Sequence, residues 1–192
     1  MGKRFSKSLG RRTHSKTEAR ISTLDEDEAL AMLDSLDEDP FLLILDQVQD
    51  PRNLGACLRS ADGAGVNLVI IPSDRSVGIT DVVRHVASGA AEALPLARVR
   101  NLARFMKELQ SRGVRLVGTS DQAKCTIFDS DLKGSLGLVV GAEETGIRRL
   151  TADNCDQLVN IPMRGTIECL NVSVATGVCL FEAFRQRITS NK

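Results

Sequence analysis

The sequence predicts an α/β domain, a mainly parallel sheet covered by helices on both faces. Three observations carry this. Short apolar runs alternate with capped helical segments from Phe41 to Arg187, the order that gives parallel strands joined by crossover helices. The first run, FLLILD (41–46), is nearly continuous in its apolar character, as in a strand buried on both faces. A chain of 192 residues with 42% hydrophobic content is long enough for one such core and a tail.

In chain order, residues 1–40 read as a charged N-terminal arm, partly disordered, and 41–192 as the folded domain. Residues 1–20 carry a net charge of +6 and residues 21–40 a net of −8, although the whole chain is neutral. A basic stretch of this kind points to an electrostatic partner, nucleic acid foremost; on composition alone, a solvated tail whose charges cancel against its neighbour accounts for it slightly better. Leu24, Leu30, Leu33 and Leu36 fall among the acids at spacings that suit a short helix before Pro40 breaks it. Beyond FLLILD, Asp50-Pro51 reads as N-cap and first position of a helix running to about Gly63. NLVII (67–71) is the next strand, ending at Pro72.

A helix from Thr80 to about Ser88 and an extended piece around Leu94 to Val99 follow. Asn101 caps LARFMKELQSR, which stops at Gly113. RLVGTS (115–120), LGLVVG (136–141) and QLVNIP (157–162) supply three more strands. An irregular loop from Met163 to Leu170 leads to Asn171, the N-cap of a last helix from Val172. Val174, Val178, Leu180, Phe181 and Phe184 give that helix an apolar stripe, while Ala175 and Gly177 let another backbone approach closely.

Several classes are disfavoured. Five cysteines form no CxxC pair and have almost no histidine near them, which argues against a structural zinc site or a disulfide framework, so no metal is expected. No apolar run reaches the ~18 residues of a membrane helix and the N-terminus lacks a signal-peptide core; no membrane association is expected and the expected compartment is the cytoplasm. Neither GxGxxG before a helix nor GxxxxGK[ST] occurs, so the usual nucleotide-phosphate cradles are missing. In such sheets ligands lie at the carboxyl ends of strands. Three of those ends, Val117-Gly118-Thr119, Val140-Gly141-Ala142 and Ile161-Pro162-Met163, are candidates for one pocket. The free amides at the Asn171 helix entrance could face the same ligand.

Three blocks narrow the reading: DPRNLGACLRSADGAG (50–65), LVVGAEETGIRRL (138–150) and IPMRGTIECLNVSVATG (161–177). In this order and spacing the chain resembles the SpoU/TrmH branch of the SPOUT RNA methyltransferases, from about Phe41 to Arg187. The resemblance implies an α/β knot, in which the C-terminal segment is threaded through a loop as a deep trefoil. It also implies a homodimer that binds S-adenosyl-L-methionine in the knot and methylates a ribose 2′-hydroxyl of RNA. The tone is closest to enzymes acting on a guanosine of 23S rRNA. The same reaction on tRNA, and an idle RNA-binding or assembly factor, are the alternatives.

Carried over residue by residue, the resemblance implies that backbone groups at Gly141, Ile161 and Leu170 hold the cofactor, with Gly118, Thr119 and Met163 lining the pocket. It implies Asn53, Arg59, Glu143 and Asn171 as catalytic residues, with Arg59 serving the partner subunit's site. Arginine scarcely loses its proton in proteins, so Arg59 is expected to stabilise charge on the acceptor oxygen or to anchor a phosphate rather than act as a base. Glu143 would orient Arg59 or Asn53 through a charge-assisted hydrogen bond, and Asn171 would fix the ribose or the cofactor's carboxylate end. Two features depart from the pattern. Cys169 stands where serine is common, and a thiol is the poorer donor to an RNA phosphate. The nearest subfamily carries a separate RNA-binding domain that 40 residues cannot hold, so Lys3, Arg4, Lys7, Arg11 and Arg12 are expected to substitute in part on phosphates. With no Trp or Tyr and six Phe, a stacking platform for bases is not expected.

Overall fold

A parallel sheet of seven strands organises the computed structural model, which describes residues 23–142 and 145–190; Lys3, Arg4, Lys7, Arg11, Arg12 and Glu143 lie outside them. The strands are β1 (Phe41–Asp46), β2 (Leu68–Pro72), β3 (Leu96–Val99), β4 (Arg115–Thr119), β5 (Cys125–Thr126), β6 (Leu136–Gly141) and β7 (Gln157–Asn160). Their spatial order is β3-β2-β1-β6-β4-β7-β5. Every residue of β1 is buried, as its unbroken apolar run requires. β6 pairs with it along the whole length, from Phe41 opposite Leu136 to Asp46 opposite Gly141.

Alternate β1 side chains point to opposite faces, and each face has its own core. Leu43 and Leu45 belong to one, with Leu54 and Leu58 of α2 (Pro51–Gly63), Val83 of α3 (Asp81–Ala87) and Leu180 of α7 (Val172–Ser190). Leu42 and Ile44 belong to the other, with Ala29 and Leu33 of α1 (Glu26–Asp34) and Phe105, Met106 and Leu109 of α5 (Leu102–Ser111). Each such leucine, fully buried, contributes about 1.5–3 kcal/mol. The N-caps Asp50, Thr80 and Asn101 each accept a backbone N–H of the first turn.

Leu24 to Leu36, counted with the charged arm in the sequence, is part of the packed fold. Leu24 hydrogen-bonds to β3 through its N–H to the Leu96 carbonyl (2.8 Å) and its carbonyl to the Arg98 N–H (3.1 Å). Asp25 and Glu28 form a reciprocal capping box at the start of α1, and Ala29 and Leu33 are buried on the sheet. Three short elements were not anticipated: α4 (Ala90–Ala93), α6 (Arg149–Asp153) and β5. β7 ends at Asn160, which leaves Ile161 and Pro162 in the following loop.

The far end of α7 is latched. The buried Gln186 accepts from the Leu132 N–H (2.8 Å) and donates to the Ser130 carbonyl (3.0 Å). Arg187 donates to the carbonyls of Asp39 and Gly134 and lies 4.9 Å from the centre of the Phe41 ring. These contacts tie the last helix to the segments that lead into β1 and β6.

Candidate functional site

β6, β4 and β7 are neighbours in the sheet, so their carboxyl ends meet at one edge. A cleft of about 410 Å³ opens there. Thr119, Gly141, Ile161, Met163, Cys169 and Leu170 all line it, so five of the six expected cofactor residues come together and Cys169 joins them. Gly118 does not line it. A Cβ at Gly118 would meet Cys155 Sγ at 2.7 Å and Leu158 Cδ2 at 2.9 Å; its smallness lets β4 pack against those side chains, on the face opposite Thr119.

Residues that sequence reasoning missed complete the lining. Ser120 and Asp121 follow β4, Thr145, Gly146 and Ile147 return from the loop after β6, and Asn160 ends β7. Glu168 adds a second carboxylate beside Cys169, while Val140 and Val172 add apolar surface. The glycine spacing in GAEETG was the one signal for the returning loop. Gly146 adopts φ 63°, a left-handed conformation open to glycine. The loop then closes on itself: the Ala142 N–H donates to the Gly146 carbonyl (3.1 Å) and the Gly146 N–H to the Ala142 carbonyl (2.9 Å). Gly141 is required by this closure, because a Cβ there would lie 2.0 Å from the Gly146 carbonyl carbon.

Of the expected catalytic residues, two meet. Asn171 caps α7, its Oδ1 accepting from the Ser173 N–H (3.0 Å) and Oγ–H (2.6 Å). Its Nδ2 donates to Asn53 Oδ1 in the first turn of α2 (3.2 Å). Arg59 is exposed further along α2, where its Nη1 donates to Ser88 Oγ at the end of α3 (3.4 Å). Asn53, Arg59 and Asn171 do not line the cleft.

The cysteines differ sharply. Cys169 is exposed. Burial, then the Asp156 and Asp46 carboxylates, push the Cys155 thiol up to about 12. Burial alone takes Cys179 to about 12. Among the described residues no group of three or more His, Cys, Asp or Glu is placed to hold a metal ion, and no helix is long and apolar enough to cross a membrane.

The SpoU rRNA Methylase family model matches residues 40–181. This chain belongs to that family. It is 57% identical over 173 residues to the 23S rRNA (guanosine-2'-O-)-methyltransferase RlmB of Ralstonia nicotianae, which covers 90% of this chain and 68% of that protein. With RlmB of Shewanella oneidensis the identity is 59% over 140 residues, 73% of this chain and 57% of that protein. The chain thus spans roughly three fifths to two thirds of the length of these SpoU relatives. Among solved structures, the SpoU methyltransferase AviRb from Streptomyces viridochromogenes, in complex with the cofactor AdoMet, superposes with a TM-score of 0.75 at 30% identity, covering 81% of this chain and 63% of that one.

Proposed function

We propose that this chain transfers a methyl group from S-adenosylmethionine to a ribose 2′-hydroxyl in RNA, with a guanosine of 23S rRNA as its target. The observation that carries the reading is the cleft itself, assembled from three adjacent strand ends and the first turn of α7, where Val172 and Ala175 line it. Its volume of about 410 Å³ falls in the range of small-molecule sites. Its lining suits this cofactor: Val140, Ile147, Ile161 and Leu170 offer apolar surface to a flat base, while Thr119, Ser120, Asp121 and Glu168 offer hydroxyls and carboxylates to ribose hydroxyls and an ammonium group. Backbone groups at Gly141, Ile161 and Leu170 fix its position. Family membership and the likeness to AviRb with AdoMet bound support the same assignment.

Once bound, the sulfonium supplies an already activated methyl. The chain has then to hold the 2′-oxygen in line with it and ease loss of a proton. Asn171, braced by Asn53, orients the ribose from the entrance of α7. Arg59 acts in a homodimer, where one protomer's Arg59 serves the cleft of its partner and stabilises charge on the oxygen or holds a phosphate. Two observations support the dimer: Arg59 does not line its own chain's cleft, and α7 exposes Val174 (52%), Phe181 (49%) and Ile188 (50%), an apolar face suited to burial between protomers. Glu143 orients Arg59 or Asn53, and Cys169 makes a weak RNA contact. The basic arm, through Lys3, Arg4, Arg11 and Arg12, adds phosphate contacts. The C-terminal segment forms the trefoil knot of its family, and the reaction takes place in the cytoplasm.

Calorimetry with S-adenosylmethionine, followed by methylation assays on 23S rRNA and tRNA, tests the reading. Binding with methylation of a 23S guanosine is expected. Failure to bind at millimolar cofactor points to an idle RNA-binding factor. Methylation of tRNA alone would move the target, a reading that the likeness to the A. aeolicus TrmH/SpoU tRNA modifying enzyme supports (TM-score 0.73, 27% identity, 86% of both chains). Near-normal turnover by Arg59→Lys would argue against any need for the planar guanidinium fork.

A further inference from the structure

Asp46 closes β1 with a side chain that is 0% exposed. It lies opposite Gly141 in the β1–β6 register, at the point where the loop lining the cleft departs. That loop is brought back to the same carboxylate. Asp46 Oδ2 accepts from the Arg148 backbone N–H (3.0 Å), and Oδ1 accepts from Arg148 Nε (2.8 Å) and Nη2 (2.7 Å). Between these fixed ends, Thr145, Gly146 and Ile147 line the cleft.

We propose that Asp46 and Arg148 are positioning residues that hold this returning loop closed as one wall of the cofactor site, so that cofactor affinity, and not the methyl-transfer step, depends on the pair. This rests on the assignment of the cleft to S-adenosylmethionine. The physical reason is the buried charge. An ionised carboxylate removed from water is tolerated only while its partners remain in place. One of those partners is the loop's own backbone N–H, so opening the loop at Arg148 strands the Asp46 charge in the interior. The pair therefore biases a two-state loop toward its closed form. The Ala142–Gly146 bridge alone ties the loop only to itself and does not anchor it to the sheet.

If breaking the pair leaves the loop closed about one tenth of the time, apparent cofactor affinity weakens about tenfold, because only the closed fraction binds. The variants are Arg148→Gln, which keeps the backbone contact and removes the fork, Asp46→Asn, which sets an amide donor against the arginine donors, and Arg148→Lys, a mild change at a partly exposed side chain that preserves folding. Leu33→Ala, in α1 beside the edge strand β3 and so two strands away from Asp46 on the same face of the sheet, serves as a destabilised control with the loop intact. Expected are a roughly tenfold or greater rise in the S-adenosylmethionine Kd for Arg148→Gln and Asp46→Asn, partial recovery in Arg148→Lys, kcat at saturating cofactor within about twofold of the unaltered chain, and faster amide exchange over 145–148. Unchanged Kd, a fall in kcat alone, or an equal rise in Kd for Leu33→Ala would each overturn the inference. Absence of binding by the unaltered chain would overturn the cofactor assignment as well, so the two failures are distinguishable.

Discussion

Replacing Gly141 with alanine puts a methyl group where backbone already runs. The new Cβ would sit 2.0 Å from the Gly146 carbonyl carbon, 2.1 Å from Ile147 N and 2.2 Å from Gly146 O. Carbon contacts settle near 3.5 Å or beyond, so the 146–147 backbone must retreat by about 1.5 Å. A shift of that size breaks both hydrogen bonds of the Ala142–Gly146 bridge, each worth about 0.5–1.5 kcal/mol, and adds overpacking strain of about 1–3 kcal/mol. The sum, about 2–6 kcal/mol, corresponds to a fall in Tm of roughly 4–24 °C for a domain of this size. The displaced backbone is also the cleft wall, so the S-adenosylmethionine Kd should rise at least tenfold. Thermal melts and calorimetry read the two effects. Gly177→Ala is the internal comparison: its Cβ meets only Ser60 Oγ, at 3.6 Å, and alanine in a helix interior gains about 0.5–1 kcal/mol. Gly141→Ala melting with the unaltered chain and binding within twofold of it would refute the claim that the loop's closure requires glycine.

Other perturbations separate the remaining roles. Asn171→Ala should cost about 1 kcal/mol through the lost cap and lower kcat at least tenfold; a stability loss with kcat intact would reduce Asn171 to a cap. Cys169 should be alkylated rapidly at pH 8 and be shielded by S-adenosylmethionine. Cys155 and Cys179, raised to about 12, stay protonated until the pH nears that value, with about one thiolate in ten thousand at pH 8; peptide mapping that finds either labelled first would contradict this. Phe181→Glu should yield an inactive monomer by sedimentation, whereas an active monomer would remove the need for a borrowed Arg59. Gln186→Ala leaves the Leu132 N–H and Ser130 carbonyl without their partner and should cost about 2–4 kcal/mol in denaturant unfolding, with activity per folded molecule unchanged.

The elements that could be read in the sequence are those whose physics is local. FLLILD and LGLVVG announce buried strands by composition, and Asp50-Pro51, Thr80 and Asn101 announce helix starts because a cap acts over three residues. β5, with only Cys125 and Thr126, carries no period at all, and α6 is too short to show an apolar face. Leu24 to Leu36 was placed with the arm because its acids outweigh four leucines, yet two buried side chains and a strand contact dock it. In the site, Gly141 and Ile161 stood at strand ends legible in the sequence, while Leu170 and the cofactor role of all three came from the family resemblance. Gly118 showed that a strand-end glycine can face packing instead of ligand. The Asp46–Arg148 pair joins residues 102 positions apart, which no local pattern could reveal, and the meeting of Asn53 with Asn171 needs the α2–α7 contact.

The insertion of β6 between β1 and β4 has a consequence for how this molecule is born. β1 to β3 are made consecutively and can zip together at once, but β1's other edge waits for a strand whose first residue lies 95 positions downstream. At translation speeds of about 5–20 residues per second, that edge stays open for roughly 5–20 s. It is a greasy, unpaired border of six residues, the kind that recruits stray strands. A nascent chain of this design is therefore most open to stray strand pairing during that interval, and ribosomal stalling before Leu136 should be the condition under which it aggregates most.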